Sequence, residues 1–201
     1  FGGSVSLSGT TAIVGAWMDS DAGVSSGSAY IYQYDPSGDN WQETKITASD
    51  AEAGDDFGGS VSVSGSTAIV GASSSDDDGN QSGSAYIYQY DPSSDAWQET
   101  KLTASDAAAS DLYGNFVSVS GTTAIVGSKF NDENGYDSGA AYIYSYDPSV
   151  DKWIETKLTA SDGAANDWFG YEVAISGTTV TVSAERDDDN GLDSGSAYVF
   201  Q

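Results

Sequence analysis

The chain repeats itself every 56 residues, and a period of that length leaves few architectures open. FGGSVSLSGTTAIVGA from Phe1 returns as FGGSVSVSGSTAIVGA from Phe57, YGNFVSVSGTTAIVGS from Tyr113 and FGYEVAISGTTVTVSA from Phe169. The rest of the unit follows in step, as GSAYIYQYDPSGDNWQETKITASD from Gly27 and close copies from Gly83 and Gly139. The units are therefore residues 1–56, 57–112 and 113–168, with a partial unit at 169–201, all within one domain. A start at Phe1 without an initiator Met reads as a segment of a longer chain.

Each unit reads as four short strands. SVSVS alternates serine with valine, so Val61 and Val63 share one face and Ser60, Ser62 and Ser64 the other. TAIVGA is an almost continuous apolar run, as expected where both faces are covered. SAYIYQY puts Tyr86, Tyr88 and Tyr90 on one face, and WQETKLTAS mixes Trp97 with charge, the mark of an outer edge strand. Ser-Gly-Thr-Thr at Ser8–Thr11 and Asp-Pro at Asp35, Asp91 and Asp147 supply the turns. No window carries a helical period. Tandem units of four strands predict an all-β fold, a β-propeller of four-stranded antiparallel blades. In it, Phe1, Phe57, Tyr113 and Phe169 wedge between adjacent blades, and Trp41, Trp97 and Trp153 cover blade edges rather than stack on a ligand.

Charge narrows the partners. With 31 acidic and 6 basic side chains the net charge is −25, which repels phosphates and anionic head groups, so nucleic acid is not expected. No apolar stretch approaches the roughly 20 residues of a helical span, so membrane insertion is not expected either. The absence of histidine and cysteine removes the Ser-His-Asp and Cys-His arrangements and the thiolate metal sites.

FG at the head of each unit, VGA about a dozen residues later and an acidic loop after it together resemble the FG-GAP repeat, and the likeness covers essentially the whole chain. The resemblance implies an extracellular or cell-surface protein active in adhesion or recognition, with calcium held in the loop after VGA. Calcium takes oxygen ligands alternating along a tight turn with Gly at its bend. The loops from Asn131 to Asp137 and from Asp187 to Asp193 come nearest, with Asn131, Glu133, Asp137, Asp187, Asp189 and Asp193 as candidate ligands. All four loops depart from the Asp-x-Asp-x-Asp-Gly-x-x-Asp form, with Met18, Ser74, Phe130 and Arg186 at its first position and Ser26, Ser82, Ser138 and Ser194 at its last. Asp, Asn and Gly equally suit exposed turns.

Three further expectations concern smaller features. Asn80, in Asn80-Gln81-Ser82, is the single N-glycosylation sequon and is expected in an exposed loop. The acidic pairs Asp50/Asp55, Asp106/Asp111 and Asp162/Asp167 are expected to cap the turn between units. Trp17 and Trp168 break the repeat and are candidate stacking platforms.

Two function classes are carried forward. One is a non-catalytic adhesion, recognition or scaffold module whose partners are proteins or glycans at the cell surface or in the extracellular matrix, or other copies of itself. The other is a lectin-like sugar binder. An enzyme is not expected, because a catalytic site needs a unique constellation and this sequence supplies near copies.

Overall fold

The computed structural model describes all residues from 1 to 201 and is built of strands, turns and bends, with no helix. The first unit supplies β1 (Ser4–Ser8), β2 (Thr11–Ala16), β3 (Ser28–Asp35) and β4 (Asn40–Ile46). The second supplies β5 (Ser60–Ser64), β6 (Thr67–Ala72), β7 (Ser84–Asp91) and β8 (Ala96–Leu102). The third supplies β9 (Val117–Ser120), β10 (Thr123–Ser128), β11 (Ala140–Asp147) and β12 (Lys152–Leu158), and the fourth β13 (Phe169–Ser176), β14 (Thr179–Ala184) and β15 (Ser196–Phe200). Each unit forms its own antiparallel sheet with strands in sequence order, three sheets of four strands and one of three.

Local chemistry explains the turns. Gly9, Gly65, Gly121 and Gly177 sit at φ of 57° to 60° at the start of the tight turn joining the first two strands, a conformation that a side chain resists. After the third strand, Asp35, Asp91 and Asp147 accept hydrogen bonds from the backbone N–H two residues on at 2.8 Å, an Asx turn ahead of the tryptophan strand.

The core lies between sheets, not within them. Ile13, Ala29, Ile31, Ile46 and Ala48 of the first unit meet Phe57, Val61, Val63, Ala68, Val70, Ala72, Tyr86 and Tyr88 of the second. The same positions recur at the second and third junctions. At each junction the leading face of one sheet is rich in aromatics and valine, and the trailing face of the sheet before it is isoleucine, alanine and glycine. Phe57, Tyr113 and Phe169 are fully buried wedges, as the sequence predicts. Trp41, Trp97 and Trp153 lie tilted against Tyr34, Tyr90 and Tyr146 at centroid distances of 5.4 to 5.5 Å, an intra-sheet packing role.

Two devices bring the sheets into contact. At the glycine of TAIVGA, backbone meets backbone: a Cβ on Gly15 or Gly71 would stand 2.0 Å from the carbonyl oxygen of Gly58 or Gly114, and one on Gly127 2.2 Å from that of Gly170. Beside it runs a serine ladder. The hydroxyls of Ser4, Ser6 and Ser8 accept the N–H groups of Val61, Val63 and Gly65 at 3.0 to 3.1 Å, and Ser60, Ser62 and Ser64 accept those of Val117, Val119 and Gly121. The first strand of a sheet is an edge whose free N–H groups would otherwise go unpaired, and the preceding sheet satisfies them. The alternation of serine and valine thus encodes two contacts at once, valine facing backwards and serine facing forwards.

Gly71→Ala should cost on the order of 3 kcal/mol, because two backbones must part, whereas Gly65→Ala, with no atom within 4 Å of its Cβ, should cost about 1 kcal/mol from its left-handed φ alone. Urea midpoints of the two variants decide; equal losses would show that the close approach does not constrain the fold.

Candidate functional site

The polar chemistry gathers in the loop after the second strand of each unit. Asp19, Ser75, Asn131 and Asp187 hold equivalent positions, and their backbone carbonyls accept the N–H of Gly27, Gly83, Gly139 and Gly195 at 2.8 to 2.9 Å, closing the loop. From the fourth strand a lysine reaches into it. Lys45 pairs with Asp19 at 2.7 Å and with Asp21; Lys101 pairs with Asp77 and Asp50, both at 2.5 Å; Lys157 pairs with Asp106 at 2.5 Å and with Glu133. Each lysine also lies over a tyrosine ring of its own sheet, Tyr30, Tyr86 or Tyr142, at 5.3 to 5.5 Å.

The acidic pairs between units divide their work. Asp55, Asp111 and Asp167 accept the backbone N–H three residues earlier at 2.6 to 3.2 Å, which is the capping expected of them. Their partners do something else. Asp50, Asp106 and Asp162 accept the hydroxyls of Tyr86, Tyr142 and Tyr198 from the next sheet at 2.8 to 2.9 Å, so they tie neighbouring units together instead of capping a turn. At the first junction Asp50, Glu52, Asp55, Asp76, Asp77 and Tyr86 line one acidic cleft.

Electrostatics follow from these bonds. Burial works against the charge on Asp50 and Asp106, but the hydrogen bonds from Lys101 and Tyr86, and from Lys157 and Tyr142, outweigh it and hold both carboxyls below the usual range. Burial dominates at Asp55, Asp111 and Asp167, whose carboxyls are pushed up. The lysines remain charged, since hydrogen bonds to Asp50 and Asp77 or to Asp106 and Glu133 overcome the desolvation of Lys101 and Lys157.

The candidate calcium ligands are dispersed among these contacts. Asn131 is buried, donating Nδ2 to Asp111 at 3.1 Å and accepting the Lys157 ammonium on Oδ1 at 3.1 Å. Glu133 is spent on Lys157, and Asp137 stands at a left-handed φ of 53° with its N–H on Asp132. In the fourth loop Asp187 is buried and accepts the Tyr198 hydroxyl at 2.9 Å and the Asp189 N–H at 3.0 Å, whereas Asp189 and Asp193 are exposed. No group of three acidic side chains converges in a form that would hold a metal ion, and in the three full units a lysine ammonium already stands among the oxygens. Asn80 lies exposed in a turn of the second loop.

One cluster breaks the repetition. At the junction of the third and fourth sheets Trp168, at φ 59°, has the Arg186 guanidinium 3.7 Å from its ring centroid and Phe130 edge-on at 5.3 Å. Tyr171 lies parallel to it at 6.2 Å, with Lys129 5.8 Å from one centroid and 5.1 Å from the other. Phe116 packs on Tyr171 at 5.9 Å, and Asn115 Nδ2 donates to the Tyr171 carbonyl at 3.0 Å. The sequence marks Trp168 alone, yet Asn115, Phe116, Lys129, Phe130, Tyr171 and Arg186 all stand where the aligned units disagree. That disagreement was the available signal. Trp17 stands in the turn after β2, where its indole lies 3.1 Å from the position a Gly3 Cβ would take.

Fold and site together define a tandem-repeat all-β protein whose junctions are held by glycine contacts, serine hydroxyls and Asp–Tyr–Lys bridges. The family model for the FG-GAP repeat matches residues 1–32, 41–88, 97–144 and 153–200, and the chain belongs to that family. Each of the last three matches runs from a tryptophan strand through the third strand of the next sheet, so the unit recognised by sequence spans a junction. No curated protein sequence matches the chain.

Lys101→Met tests the bridge. A carboxyl whose pKa is depressed by folding contributes stability above its unfolded value near 3.8 and loses it as pH falls through the folded value. Both partners are partly exposed, so the loss at pH 7 should be about 1 kcal/mol or less. The gap in melting temperature between the two proteins should be widest at neutral pH and shrink as pH falls below the unfolded value near 3.8 and through the lower folded values; a gap independent of pH would assign the effect of Lys101 to packing.

Proposed function

We propose that the sheets are blades of a β-propeller that acts outside the cell as a non-catalytic recognition and adhesion module. Membership of the FG-GAP family, whose repeats typically occur in extracellular adhesion-type proteins, supports the setting. The observation that carries the reading is the threefold recurrence of one acidic junction, in which Asp50, Asp106 and Asp162 accept a tyrosine from the next sheet. Of the carboxyls with raised pKa, Asp55, Asp111 and Asp167 hold one equivalent structural post each, capping a turn, while Asp137 and Asp189 lie in the acidic loops of the third and fourth units. Equivalent surfaces at a fixed spacing suit repeated weak contacts that sum by avidity. With a net charge of −25, the partner chemistry that fits is a basic protein surface.

A second reading, a lectin-like site, rests on the cluster around Trp168, where aromatic faces and two cations meet on a partly exposed surface. A printed array carrying basic peptides and glycans separates the two. The adhesion reading expects retention on basic peptides that rises steeply with printing density and fades with salt. Retention on glycans that Trp168→Ala abolishes would replace it with the lectin reading, and retention on neither would remove both.

For calcium, the three complete units offer a poor fit because lysine occupies the loop, so the proposal rests on the fourth. There Asp189 is pushed up by Asp187 and Asp162, and no lysine pairs with any of them. Calcium binding at Asp187, Asp189 and Asp193 would relieve that repulsion and raise the melting temperature by mass action. Asp189→Asn should abolish the rise. A calorimetric titration without heat and a melting temperature unmoved by chelator would reduce the loop to an acidic turn.

A further inference from the structure

We infer that the third unit closes a covalent bond on itself: an isopeptide cross-link between Lys157 Nζ and the side-chain carbonyl carbon of Asn131, made by the chain's own groups. This goes beyond the recognition role and does not depend on it.

The reacting groups meet at the loop after β10. Asn131 is only 4% exposed, and both ends of its amide are held. Oδ1 accepts the Glu133 backbone N–H at 3.2 Å and the Lys157 ammonium at 3.1 Å. Nδ2 donates to Asp111 at 3.1 Å and lies 3.5 Å from the Tyr142 hydroxyl. These partners fix which way the amide faces, since two donors meet Oδ1 and a carboxylate meets Nδ2. Nζ is therefore kept beside the carbonyl, with Cγ one bond behind the oxygen it touches. Such proximity replaces a bimolecular acylation by an intramolecular one. A carboxamide is a weak electrophile in water, but here the Glu133 N–H, a rigid backbone donor, stands where negative charge develops on Oδ1 as the amine adds.

The protons also have a route. Lys157 touches the carboxylates of Glu133 and of Asp106, the latter at 2.5 Å, and the other oxygen of Asp106 accepts the Tyr142 hydroxyl at 2.8 Å. The ammonium yields one proton to Glu133, and the lone pair so freed adds to Cγ. Nζ passes a second proton to Asp106, and one is handed on through the Tyr142 hydroxyl to Nδ2. The Cγ–Nδ2 bond then breaks, and the departing ammonia takes up the proton held by Glu133 and leaves as ammonium. One C–N bond forms, one breaks, and nothing is oxidised or reduced.

The third unit alone carries this arrangement. Asp19, Ser75 and Asp187 hold the position of Asn131 in the others; a carboxylate there resists addition because its charge is shared over both oxygens, and serine has no carbonyl. Asp106 and Asp111 come from the second unit. The bond thus forms only after the second junction has assembled, and it then locks the loop to β12.

Mass spectrometry of the whole chain, folded and incubated at neutral pH before being denatured for measurement, tests the inference. The mass should fall short of the sequence mass by one ammonia, and a proteolytic digest should contain a branched peptide joining Asn131 to Lys157. A succinimide at Asn134-Gly135 would lose the same mass, but it gives no branched peptide and is cleaved by hydroxylamine. Lys157→Arg, which keeps the charge, should retain the full mass, and Tyr142→Phe, which removes the relay hydroxyl, should cross-link at least tenfold more slowly. Circular dichroism confirms that each variant is folded. The inference is overturned if the folded protein keeps its full sequence mass after prolonged incubation, if ammonia is lost without a branched peptide, or if Lys157→Arg loses it equally. Cross-linking of folded Tyr142→Phe at the parental rate would overturn the proton route.

Discussion

The approach of one backbone to another at Gly15, Gly71 and Gly127 is the constraint on which the remaining structure depends. With no Cβ in the way, the carbonyl of the next sheet reaches the strand itself, and only at that separation can serine hydroxyls span the gap to the neighbouring N–H groups. The same separation sets how the wedge of Phe57, Tyr113 or Phe169 is enclosed, and it brings Asp50 within reach of Tyr86 and Lys101. Shape, edge satisfaction and charge pairing are thus consequences of one missing side chain per unit.

The electrostatics have a similar economy. A chain with few cations places Lys45, Lys101 and Lys157 where two acidic groups meet, and a tyrosine ring supports each ammonium from below. Apart from the buried Asp55, Asp111, Asp167 and Asp187, most of the remaining acidic side chains face solvent, so charge cohesion is local to the junction and repulsion is left to the surface.

Much of the fold was legible in the sequence because period and alternation are direct records of backbone geometry. The 56-residue repeat, the fifteen strands' approximate places, the buried wedge aromatics and the turns at Gly9 and Asp35 follow from residue pattern alone. The role of the serines did not. A polar residue alternating with valine reads the same whether it meets water or a neighbouring edge N–H, and only the stacking of sheets distinguishes the two. The lysine bridges were hidden for the same reason, since Lys101 lies 51 residues from Asp50 and 24 from Asp77 along the chain. The acidic loops show the converse limit: composition suggests a cation, and the partner that composition cannot reveal is an ammonium from the same unit.

The odd cluster around Trp168 also bears on how the chain finds its own order. The first two junctions are interchangeable, because Ser4, Ser6 and Ser8 offer the same acceptors as Ser60, Ser62 and Ser64. A folding chain of near-identical units is exposed to pairing the wrong neighbours, the characteristic error of repeat proteins. The third junction is different. Phe116 replaces a ladder serine, Asn115 reaches the carbonyls of Gly170 and Tyr171, and Arg186 closes on Trp168. The fourth sheet therefore carries an address that only the third sheet reads, and once that pair has formed the order of the remaining two is fixed by connectivity alone.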